Sequence, residues 1–65
     1  MPTQEGVTLR WEVVAFDGKT VAKCEFWRDA VALAQLNYGR TIFDVNRQER
    51  FVRTVETVVT YKLEE

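Results

Sequence analysis

The sequence predicts a small α+β domain in which a β-hairpin, a helix and a second β-hairpin (ββαββ) build an antiparallel sheet covered on one face by the single helix. Three observations carry that reading. An Asp17-Gly18 pair separates two β-prone runs, residues 28–38 are rich in strong helix formers, and a second β-prone stretch begins at Thr41, just past Gly39.

The first hairpin can be registered residue by residue. Asp-Gly favours a two-residue type I′ loop, which needs positive φ at both central positions. With that loop Phe16 faces Lys19, and one face carries Leu9 with Phe26, Trp11 with Cys24, Val13 with Ala22 and Ala15 with Thr20. The other face carries Arg10 with Glu25, Glu12 with Lys23 and Val14 with Val21. One register thus yields an apolar face and two opposite-charge pairs, and a slip by one residue destroys both.

The helix is expected over 28–38. Ala30, Ala32, Leu33, Ala34, Gln35 and Leu36 favour it, Asp29 suits its positive N-terminal end, and Gly39 is the expected stop. At 100° per residue Trp27, Ala30, Val31, Leu33, Ala34 and Tyr38 share one stripe, while Leu36 falls opposite.

For the second hairpin, Asn46, Arg47 and Gln48 are read as a three-residue loop, which places Gln48 where glycine is usual. Val45 then faces Glu49, Asp44 faces Arg50, Phe43 faces Phe51 and Ile42 faces Val52. The β-prone run continues to Lys62, too long for one ordinary strand, so a bend, a bulge or a change of partner is expected. Its inward set is Phe51, Val55, Val59 and Tyr61, and the core is expected to centre on Trp11, Val13, Phe26, Ala30, Ala34, Phe43 and Val55.

Sixty-five residues support one core, so the chain is read as a single domain with 1–6 and 63–65 as frayed ends. A composition 46% hydrophobic and 29% charged belongs to a folded domain rather than a disordered tail. No apolar run approaches the roughly 18 to 20 residues of a membrane span, and the N-terminus lacks a signal peptide's pattern. Cys24 is a lone cysteine and can form no internal disulfide, which fits a cytoplasmic location.

The chain contains no histidine, which removes the commonest general base and the commonest metal ligand. Cys24 falls on the core face opposite Trp11, the place of a small buried hydrophobe rather than a nucleophile. Gly6, Gly18 and Gly39 do not make a phosphate-binding loop. Glu12, Glu25, Asp44 and Glu49 each have a cationic or strand partner, so no enzyme, cofactor or metal is expected.

Two surfaces remain. On the outer sheet face Val14 with Val21 and Ile42 with Val52 form aliphatic pairs near Phe16 and Val58, more β-branched surface than so small a monomer leaves in water. They point to a non-catalytic protein-interaction domain, a homodimer or a subunit docking on a larger host protein through its open sheet face or a strand edge. The alternative is a nucleic-acid-binding module using Arg40, Arg47, Arg50 and Arg53, which interleave with Phe43 and Phe51 and leave a local excess of positive charge in a chain of net charge −1. The hairpin, helix and hairpin plan is similar to that of many short proteins of bacteria and their phages, and such a plan recurs without shared function.

Overall fold

The computed structural model describes residues 9–54 and 59–64. Its elements in chain order are β1 (Trp11–Val14), β2 (Thr20–Cys24), α1 (Trp27–Ala34), β3 (Thr41–Asp44), β4 (Glu49–Thr54) and β5 (Thr60–Leu63), a ββαβββ order. The five strands form one antiparallel sheet in the order β2-β1-β3-β4-β5. β1 is antiparallel to both its neighbours, so β2 and β3 run parallel on either side of it, and α1 carries the chain across.

The long β-prone run resolves into two strands. A single twelve-residue strand would extend about 40 Å, far past the four residues of β3, and its backbone would lack partners. Instead β5 folds back on β4, with Phe51 opposite Leu63 and Thr54 opposite Thr60. Leu63, expected in a frayed end, therefore closes the sheet.

The first hairpin keeps its expected core register, with Trp11 opposite Cys24, Glu12 opposite Lys23 and Val13 opposite Ala22. Its loop is different. The Gly18 N–H donates to the Ala15 carbonyl (2.9 Å), the Ala15 N–H donates to the Lys19 carbonyl (2.8 Å), and the loop is Phe16-Asp17-Gly18. Of the two predicted positive-φ residues only Gly18 is one, at +93°. The Asp17 carboxylate accepts the Lys19 N–H, a local bond that a type I′ loop does not need. The extra loop residue shifts the register, Val14 faces Thr20, and a bulge at Val21 cancels the shift before it reaches the core.

The second hairpin departs further. Asp44 faces Glu49, Phe43 faces Arg50 and Ile42 faces Phe51, so the loop is the four residues 45–48. Gln48 has φ of +57°, the conformation expected of it, and its side-chain amide donates to the Val45 carbonyl. A one-residue change in register exchanges the faces of a strand. β3 is therefore inverted relative to expectation: Ile42 is fully buried under α1, and Phe43 lies on the open face.

α1 packs chiefly on β1, β2 and β3. Ala30 and Ala34 are both 0% exposed and let the helix approach closely enough to seal Val13 and Ile42. At its N-terminal end Trp27 packs edge-on against Trp11 (4.9 Å between centroids) and Phe51 (5.1 Å), closing that end with aromatic surface. The helix stops at Ala34, four residues short of expectation. Arg40 folds back to donate to the Leu33 carbonyl (2.9 Å), and the Leu36 N–H takes the same acceptor in a tighter turn. Tyr38 consequently leaves the buried stripe and is 71% exposed.

Phe26 is also displaced from the core. β2 ends at Cys24, the alternation stops, and Phe26 serves as the extended residue before the helix, half exposed under the Arg28 guanidinium. Val55 and Val58 lie outside the described residues. Among the described residues no helix is long and apolar enough to cross a membrane.

Replacing Ile42 by Ala should cost about 2 to 5 kcal/mol in urea unfolding, the usual loss for a sealed aliphatic side chain. Phe26→Ala should cost clearly less, despite the larger side chain removed. Equal losses would mean that Phe26 belongs to the core as much as Ile42 does.

Candidate functional site

The open face of the sheet is built by alternation. Val13, Ile42 and Phe51 point toward α1, so Glu12, Val14, Phe43, Arg50, Val52 and Lys62 point away from it. One row across the sheet runs Lys23, Glu12, Phe43, Arg50, with the Glu64 N–H bonded to the Arg50 carbonyl at its end. Val14 faces Thr41, and Val52 faces Lys62. Val14, Thr41, Phe43 and Val52 are only half buried in the chain by itself. The face thus has an apolar centre and a rim bearing both signs of charge.

The expected interface residues divide accordingly. Val14 and Val52 lie on this face, Val21 sits half exposed at the β2 bulge, and Phe16 is 88% exposed at the tip of the first hairpin. Ile42 is in the core and offers no surface, because the four-residue loop turned β3 over. Phe43, expected inside, takes its place.

The four arginines separate. Arg47 is in the loop 45–48 at one end of β3, Arg50 is on the open face, and Arg40 and Arg53 are at the other end of the sheet. Arg40 and Arg53 line one cleft. It has a volume of about 190 Å³ and is walled by Tyr38, Gly39 and Thr41 as well. The Arg53 guanidinium lies 4.7 Å over the Tyr38 ring, and its buried Nε has no hydrogen-bond partner among the described residues. Tyr61, opposite Arg53 on β5, has a buried hydroxyl that also has no partner among the described residues, and burial pushes that phenol's pKa up against the pull of Arg53.

The most connected polar group is Asp44, whose side chain is 1% exposed. It was expected to pair with Arg50 across the hairpin. Its oxygens instead receive Arg10 Nε (3.0 Å) and Nη2 (2.9 Å) in a two-pronged pair, and Oδ1 also accepts the N–H groups of Asn46 (3.0 Å) and Arg47 (3.3 Å). The Arg10 guanidinium, 4.6 Å from the Trp11 ring centre, is thereby held against an aromatic face. The Arg10 hydrogen bond holds the Asp44 carboxyl below the usual carboxylate range, against the opposing effect of burial. The same bond raises the Arg10 pKa. Asp44 followed by Asn46 is a turn-opening signal, and it was available in the sequence.

Cys24 is buried, and desolvation with the nearby Asp29 pushes its thiol up. That is the wrong direction for a thiolate nucleophile at neutral pH. Comparison with protein-family models, with curated proteins and with solved structures returns no match for this chain.

Asp44→Ala should lose about 1.5 to 3 kcal/mol, since it removes charge-assisted bonds to a buried group. A carboxyl held below its unfolded value near pH 3.9 stabilises the fold fully above that pH and ceases to do so as the pH falls through the folded value. The stability gap between the native chain and Asp44→Asn should therefore be widest near neutrality and shrink below about pH 4. Urea midpoints taken across that range check both statements.

Proposed function

We propose that the chain is a small non-catalytic interaction domain whose open sheet face packs on a second copy of itself. The observation that carries this reading is the composition of that face: Phe43, Val14 and Val52 with Thr41 in the middle, Glu12 and Glu64 with Lys23, Arg50 and Lys62 around them. Association surfaces have this anatomy, with charge depleted at the centre and kept at the rim. A rim of both signs is complementary to its own two-fold copy, and two sheets pack face to face about 10 Å apart with their side chains interdigitated.

The strand edges fit the role less well. β2 carries Lys23 and β5 carries Lys62, and lysines on edge strands discourage pairing with another strand. The non-catalytic half of the reading rests on a buried Cys24 whose thiol is pushed up, on the absence of histidine, and on Asp44 being committed to Arg10 and two backbone donors. A nucleic-acid surface built from all four arginines finds no support, since they lie at both ends of β3 and on both sides of the sheet.

Sedimentation at micromolar concentration should give the mass of two chains. Phe43→Lys and Val52→Lys should reduce it to one while leaving the circular dichroism of the folded chain intact, because neither residue lies under α1. A single-chain mass across the concentration series would remove the self-association reading.

A further inference from the structure

The end of the sheet that holds Arg40 and Arg53 is distinct from the open face, and its chemistry is different. Beside the cleft of Tyr38, Arg40 and Arg53 lies a second cleft of about 260 Å³, walled by Phe16 and Asn37 and sharing Tyr38, Gly39 and Arg40 with the first. Phe16 closes on Gly39 so tightly that a Cβ there would sit 3.0 Å from the Phe16 Cβ. The Phe16 ring itself is 88% exposed and borders that cleft. We propose that the two clefts form one site for a phosphate group carried beside a planar ring, the chemistry of a nucleotide, with Arg40 and Arg53 on the phosphate and the ring against Tyr38 and Phe16.

Three features support this assignment. First, two guanidinium groups meet at one small cleft, and among the described residues the only ion pair belongs to Arg10 and Asp44. A phosphate monoester, with about −1.5 to −2 charges at pH 7, matches two arginines that form no ion pair among the described residues better than a carboxylate does. Second, both side chains are already positioned. Arg40 is tethered through one Nη to the Leu33 carbonyl with its other donors free of protein acceptors among the described residues, and Arg53 rests on the Tyr38 ring. Third, Tyr38 and Phe16 expose their rings at the same pair of clefts, at 71% and 88% of their surface. Two exposed aromatic rings beside paired arginines are the elements by which proteins hold a base and its phosphate. Asn37 in the same cleft adds an amide for the edge of the ring.

The test is a titration of the isotope-labelled chain, at low salt, with AMP, adenosine, inorganic phosphate and a short 5′-phosphorylated oligothymidylate. AMP should shift the resonances of Tyr38, Gly39 and Arg40, and should bind more tightly than adenosine or inorganic phosphate. Arg53→Gln should weaken AMP by about ten- to a hundredfold, the loss of a charge-assisted bond. Should that variant fail to fold, Tyr38→Ser changes a side chain exposed at the surface and should weaken AMP by about fivefold or more. An oligonucleotide that binds more tightly than AMP at the same residues identifies a strand terminus as the source, and equal binding identifies the free nucleotide. Adenosine binding as well as AMP, phosphate binding as well as AMP, no shift at these residues, or unchanged affinity in a folded Arg53→Gln or Tyr38→Ser chain would overturn the assignment. Because these residues are off the open face, a monomeric chain that binds AMP, or a dimer that does not, separates this inference from the proposed self-association.

Discussion

The carboxylate of Asp44 receives four hydrogen bonds, two from Arg10 and two from the backbone of the loop that follows it. Those bonds join segments 34 residues apart in sequence, the entry to β1 and the exit of β3, and the Val45 N–H adds a backbone bond to the Arg10 carbonyl beside them. A charge buried to this degree is tolerated only when its lone pairs are filled. The requirement fixes the loop: Asn46 and Arg47 must turn their N–H groups back toward Asp44, which begins the turn one residue earlier than a three-residue loop allows. Everything on β3 follows from that choice.

Once β3 is set, Ile42 faces α1 and Phe43 faces outward, and the sheet acquires its two distinct sides. The inner side is thin. It seals Val13 and Ile42 beneath two alanines and relies on the Trp11, Trp27 and Phe51 group to close one end. A larger residue at Ala30 or Ala34 would lift the helix from the sheet, because close-packed interiors have no slack to absorb added volume. The same shortness of the helix leaves Tyr38 outside, and there it meets Arg53. One termination event, capped by Arg40 on the Leu33 carbonyl, thus shapes both the core and the cleft.

The proposed activities occupy separate parts of this frame. The proposed self-association would use side chains that alternation sends away from the helix, and the proposed ligand site would use loops gathered at the end where β1 finishes and β3 begins. Neither needs a reactive side chain, and the aromatic rings of the cleft add little to the fold by burial, since Phe16 and Tyr38 are largely exposed.

The residue pattern along the chain was enough to settle the α+β class, the core register of the first hairpin, the burial of Cys24 and the alanine stripe of the helix. These depend on local chemistry: period-two alternation against period 3.6, the Asp-Gly turn and the helix propensities of neighbouring residues. Even a wrong loop type at Asp17-Gly18 left the core pairs intact, because a bulge at Val21 absorbed the difference. What only the tertiary structure decided was the partner of Asp44, and with it the faces of Ile42 and Phe43. It also decided the fold-back that makes β5 and the meeting of Arg40 with Arg53. Each turns on a contact between residues distant in sequence or on a competition between two loops that differ by one residue. At the second hairpin the local pattern favoured the three-residue loop, which joins a charge pair, an aromatic pair and an aliphatic pair; the buried carboxylate, which must be satisfied from both sides at once, selects the four-residue loop instead.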